Sequence, residues 1–163
     1  PYRMKRLMAF IDPWANPKGE GFQLIQSLYA LGNGGLFGVG LFNSRQKYLF
    51  LPFSESDFIF SIIGEELGLF GSIIIILAFV ALVACLIKIA LNAKDRFSAL
   101  LVAGIACLIS IQVAINIAVV TGSIPPTGIP LPFISSGSSA ILVFLSMIGV
   151  CLNIAKKSRE NKI

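Results

Sequence analysis

The chain has 163 residues, 56% of them hydrophobic and 13% charged, with a mean hydropathy of +0.86 and a formal net charge of +5. Soluble domains carry about 25% charged residues, so this composition excludes an ordinary water-soluble domain and places the chain in a membrane. Nucleic-acid binding is excluded as well, because the basic residues divide between the two sides of the predicted bundle instead of gathering on one face.

From the start of the chain, Asp12-Pro13-Trp14-Ala15-Asn16-Pro17-Lys18-Gly19 is dense in helix breakers and is expected to be irregular. Phe22, Ile25, Leu28 and Tyr29 then recur at helical spacing, with Gln23 and Gln26 on the other side, which predicts a short amphipathic helix over 21–31 on the membrane or the bundle. Gly32 to Gly40 holds five glycines, matches no dinucleotide or phosphate-loop spacing, and reads as a turn. In the following Asn43-Ser44-Arg45-Gln46-Lys47, the two cations suit a pyrophosphate and equally suit a solvated loop; both readings stand.

Ser54 to Asp57 resembles a capping box ahead of an apolar helix, so Asp57 is either a cap, favoured by pattern alone, or a carboxylate available for chemistry at the membrane boundary. Glu65 and Glu66 lie two turns further in. At least one of them is expected to face protein or water, and Glu65, nearer the Asp57 side of the helix, is the better placed to influence that carboxylate.

A hydrocarbon core of roughly 30 Å needs about 20 apolar helical residues. Three stretches qualify: Leu67–Ile87, Phe97–Thr121 and Ile134–Ile154. They predict an all-α polytopic membrane protein with transmembrane helices over 58–90, 98–121 and 134–155 and a large extracytoplasmic loop, 1–57, that carries the amphipathic helix. Gln112 and Asn116 share a face of the second span and are expected to hydrogen-bond between helices. The link 122–133, with Pro125, Pro126, Pro130 and Pro132, is expected to form a stiff hairpin at the mouth of a cavity. Ser135, Ser136, Ser138 and Ser139 place small hydroxyls at the end of the third span, for close packing or headgroup contact.

Lys88 at the end of the first span, Lys94 and Arg96 in the loop 91–97, and Lys156, Lys157, Arg159 and Lys162 in the tail 156–163 put both on the cytoplasmic side. The uncharged link 122–133 then faces outward, together with residues 1–57. That first segment is itself basic, but long loops weigh little in the rule, and its cations can meet anionic lipid phosphates. Cys85, Cys107 and Cys151 fall one per span with no ligand or disulfide spacing and read as packing residues. The chain contains no histidine, so proton transfer falls to carboxylates, Lys, Tyr or Cys. A start without Met or a leading hydrophobic segment predicts the C-terminal piece of a longer protein.

Several blocks resemble one family. Pro1-Tyr2-Arg3, Asp12-Pro13-Trp14, Gly21-Phe22-Gln23, Gln26-Ser27-Leu28, Ser44-Arg45-Gln46-Lys47, Asp57-Phe58-Ile59-Phe60, Glu65-Glu66-Leu67-Gly68 and Pro126-Thr127-Gly128-Ile129-Pro130-Leu131-Pro132-Phe133-Ile134-Ser135 are similar to the C-terminal part of the SEDS proteins FtsW, RodA and SpoVE. The resemblance implies a ten-helix protein of the bacterial cytoplasmic membrane that polymerises lipid II into glycan strands, with the large external loop and the last three helices represented here. It implies Asp57 as the catalytic base, reversing the odds set by the capping pattern. Arg45, Gln46, Lys47, Gln26, Glu65 and Ser136 are the expected substrate-binding residues, and a divalent cation (Mg or Mn) at Asp57 and Glu55 is the metal option. Implied partners are lipid II, the undecaprenyl-pyrophosphate-linked glycan, a class B penicillin-binding transpeptidase and other divisome or elongasome proteins. The chain departs from the family pattern at Phe53 and Glu55, and at Ser136 to Ala140. A lipid II flippase and a non-catalytic scaffold are the alternative functions.

Overall fold

The computed structural model describes residues 10–15, 17, 21–44 and 57–160, apart from the side chains of Ser138, Arg159 and Glu160. Among them, four α-helices carry the fold and no strand is present: α1 (Phe22–Gly34), α2 (Ile59–Leu91), α3 (Arg96–Val120) and α4 (Ser138–Glu160). The last three are long and apolar enough to cross a membrane, with candidate spans Ile59–Leu91, Arg96–Val120 and Ser139–Ser158. The outward faces of α2, α3 and α4, which carry residues such as Ile74, Leu77, Leu100 and Leu142, are exposed and apolar. Such faces suit a hydrocarbon surrounding, where each helix must satisfy its own backbone.

The three spans run up and down against one another around Val102, Ile105, Ile109 and Val113 of α3, with Leu86 of α2 and Phe144 of α4. One end of the bundle is tied where the Ser158 hydroxyl donates to the Asn92 carbonyl, bringing the end of α4 to the α2–α3 loop. Asp95 caps α3 there, accepting from Ser98 N at 2.8 Å. That hydrogen bond holds the Asp95 carboxyl below its ordinary value of 3.8. Because the folded-state value is depressed, the ionised cap stabilises fully above about pH 4, and this is lost as pH falls from there through the lower folded-state value. Asp95→Asn, which caps without titrating, is therefore expected to abolish this share of the acid-side loss in thermal midpoint, measured by unfolding in detergent from about pH 6 to 3.

Helix α1 packs on the other end through Leu24, Ile25, Ser27, Ala30 and Gly34, and the Ser27 hydroxyl donates to Val120 O at 3.0 Å. Of the expected apolar stripe, Ile25 faces the bundle. Leu28 and Tyr29 are exposed, because small residues let the α1 backbone approach its neighbours where larger ones would hold it off. Tyr29 instead meets Trp14 edge-on at 5.8 Å, beside a 3₁₀ turn, Pro13–Ala15, whose Trp14 and Ala15 amides are bound by the Asp12 carboxylate. Cys85 and Cys107 lie on exposed faces and only Cys151 is buried, so just one of the three serves as core packing.

Helix α2 is broken. Gly68 has φ 69° and ψ −165°, so residues 59–67 and 69–91 are two helical pieces meeting at a kink. A break strands carbonyls on one side and amides on the other, and hydrocarbon offers neither a partner. The glycine-rich segment after α1 supplies them. Val39 N and Gly40 N donate to Glu65 O and Glu66 O (2.9 and 3.1 Å), while Gly35 O and Leu36 O accept from Leu69 N and Phe70 N (3.0 and 3.2 Å). A Cβ on Gly38 would collide with the Glu66 carbonyl, and Phe37 stacks on Phe70 at 5.3 Å to close the joint. The expected simple turn over 32–40 is thus a helix end to Gly34 followed by a backbone brace.

Candidate functional site

The polar groups collect at the end of the bundle where α1, the start of α2, the end of α3 and the link to α4 meet. Asp57 lies two residues before α2 and is half-buried. The helix N-cap is Phe58, with no side-chain cap bond, and the first turn is instead closed by Ser61, whose amide and hydroxyl both donate to Phe58 O (3.0 and 2.7 Å). The capping role expected of Asp57 is not seen at this helix start, and Ser54, the other half of the expected box, lies outside the described residues.

The link to α4 explains its own placement. Four prolines between 125 and 132 contribute carbonyls and no N–H groups, so the link carries more acceptors than donors. Side chains of α3 make up the difference. Gln112 Nε2 donates to Pro130 O at 3.2 Å, and Asn116 Nδ2 donates to Ile129 O at 2.8 Å and to Asp57 O at 2.9 Å. These amides were expected to bond between helices; their partners are loop carbonyls, because the link is where donors are lacking. Leu131 and Pro132 are buried, which seats the link in the bundle instead of over it. Helix α4 begins at Ser138, four residues later than expected, after a turn in which Phe133 takes φ 64° and packs on Phe144 at 5.4 Å.

Glu65 is 1% exposed and sits about 9 Å along the axis from Ile59, six residues on. Its carboxylate accepts from the Ser44 hydroxyl and lines a cavity of about 470 Å³ with Asn33, Val39 and Asn43. It thereby anchors the point from which the Arg45-Gln46-Lys47 block departs. Gln26 is half-buried on α1, and Ser136 is exposed at the head of α4. Arg45, Gln46, Lys47 and Glu55 lie outside the described residues. Among those described, no three acids, cysteines or histidines converge, so no divalent-cation site is built around Asp57 from them. Two groups escaped the sequence reading as site members. Asn116 and Ser135 are both buried, and Asn116 Oδ1 and Ser135 Oγ lack a hydrogen-bond partner among the described residues. For Asn116 the available signal was the proline content of the link one helix end away.

Fold and polar end together define a multi-span helical membrane protein with a cluster of buried polar side chains at one end of the bundle. Residues 1–160 match the FtsW, RodA and SpoVE cell cycle proteins, and the chain belongs to that family. It is 52% identical over 159 residues to stage V sporulation protein E of Bacillus subtilis, covering 98% of this chain and 43% of that protein. It is 46% identical over 158 residues to a probable peptidoglycan glycosyltransferase FtsW of Geobacter sp. (strain M18), covering 97% and 43%. A chain from a solved peptidoglycan synthase complex that coordinates polymerization and crosslinking superposes with a TM-score of 0.75 at 30% identity, over 97% of this chain and 43% of that one. The chain thus spans less than half the length of these relatives.

Proposed function

We propose that this chain supplies the C-terminal, base-bearing part of a lipid II polymerase acting in bacterial division, elongation or sporulation. The observation that carries the reading is Asp57: a half-buried carboxylate at the bundle end, released from capping, whose backbone is held by Asn116. In the reaction, the 4-hydroxyl of one lipid II sugar attacks the anomeric carbon of the growing strand, and Asp57 takes the hydroxyl proton as the bond forms. The C1–O bond to undecaprenyl pyrophosphate breaks as the pair of electrons leaves with the pyrophosphate, which Arg45 and Lys47 are placed in sequence to meet. Attack from the opposite face inverts the anomeric centre and needs no covalent enzyme intermediate.

The bundle end bearing Asp57 is the extracytoplasmic one in this reading. The cationic α2–α3 loop and the end of α4 are tied together at the opposite end, which supports a cytoplasmic placement for them. Names of the relatives support the activity, and the solved complex supports a transpeptidase partner.

The kink in α2 speaks to the transport alternative, since broken helices build ion and substrate sites in many transporters. Here two carbonyls and two amides at the break are already paired with the 35–40 brace, which weighs against either half-helix end serving a cargo. Reconstitution tests the choice. A polypeptide of the relatives' length carrying this chain should convert lipid II to polymer in detergent, where no second leaflet exists; scrambling of labelled lipid II in vesicles without polymer would favour the flippase. Residues 1–163 alone are expected to make no polymer.

A further inference from the structure

We propose that Asn116 is a positioning residue for the reaction: its amide ties the backbone of Asp57 to the proline-rich link and so fixes where the Asp57 carboxylate stands. The inference rests on Asp57 being the base.

Asn116 is 1% exposed in the last turns of α3, a buried polar side chain in a largely apolar helix, one turn on from Gln112. Its two amide hydrogens reach two carbonyls from different parts of the chain, Asp57 O at 2.9 Å and Ile129 O at 2.8 Å. Since both partners are acceptors, only the NH₂ can face them, and the orientation of the amide is settled by chemistry. The consequence is an Oδ1 turned away without a partner among the described residues, a penalty that packing alone would never require. Both bonds are spent on backbone, two residues before α2 and at the rim of the link. Gln112, one turn earlier on α3, is a natural comparison: it bonds Pro130 O but does not reach Asp57.

A tether of this kind acts on the placement of the base and not on substrate affinity. In a polypeptide of the relatives' length, Asn116→Leu, close in volume and without donors, is expected to lower kcat for lipid II polymerisation about tenfold or more with KM within about twofold, as loss of alignment does. Gln112→Leu is expected to cost distinctly less. Thermal unfolding in detergent accompanies each variant, and where Asn116→Leu does not fold, Asn116→Ala, which removes the NH₂ without adding bulk or charge, is read for the same kcat and KM split. Wild-type kcat in the folded variant, a rise in KM alone, or equal losses from Gln112→Leu and Asn116→Leu would each overturn the tether. Asp57→Asn separates this failure from that of the underlying reading: full activity there removes the base itself, whereas an inactive Asp57→Asn beside a fully active Asn116→Leu removes only the tether.

Discussion

Asp57→Asn is expected to reduce polymer formation by about 100- to 10,000-fold while leaving the thermal midpoint of the protein where it was. The rate effect follows from general-base catalysis, whose loss costs that range when a hydroxyl nucleophile must shed its proton in the transition state. The stability effect follows from the start of α2, where Phe58 is the N-cap and Ser61 closes the first turn, so the Asp57 side chain contributes no cap to lose. Asp57→Glu keeps a carboxylate but moves it by one methylene, a displacement that costs on the order of 100-fold in an aligned site. The ordering wild type, then Glu, then Asn, at equal stability, is the signature of a base. A polymerase assay on lipid II with gel separation of glycan strands reads it directly, and an Asn variant as fast as wild type sinks the mechanism.

Gly68→Ala should have the opposite profile, with folding lost before chemistry. At φ 69° and ψ −165° the backbone occupies a region open almost only to glycine, and an L side chain there costs on the order of 1–3 kcal/mol. The added Cβ would also strike Gly38 N and the Leu36 carbonyl, which are backbone atoms with no rotamer to yield. Together the expected cost is roughly 3 kcal/mol or more. Thermal unfolding in detergent should show a large drop in midpoint, and protease sensitivity should rise in the 35–40 segment as its bonds to the kink are lost. Gly104, in α3 with open space at its Cβ position, is the matched control: Gly104→Ala should be neutral or mildly stabilising.

The three spans are legible in the sequence because hydrocarbon demands about 20 apolar residues in a row and little else meets that demand. Family membership is legible because several ordered blocks, from Asp12-Pro13-Trp14 to the proline-rich link, occur together. The kink is not legible. Glycine inside an apolar helix is common in membranes, and nothing local to Gly68 announces that the glycines of 34–40 will come to meet it. The same holds for Asn116. Four-residue spacing with Gln112 puts both amides on one face, but their partners are carbonyls of a loop and of Asp57, and main-chain acceptors leave no mark in side-chain pattern. Which face of α1 meets the bundle is not legible either: Ser27, Ala30 and Gly34 join Leu24 and Ile25 at the interface, where close approach counts, and Leu28 and Tyr29 stay exposed.

The brace across Gly68 makes that kink an elbow set in plaster and not a joint. Four main-chain bonds cross between 35–40 and 65–70, so the upper arm of the first span cannot swing without hauling the whole of α1 with it. Any rearrangement that accompanies turnover must then move those two pieces as a single lever, hinged further down the bilayer or at the far end of α1.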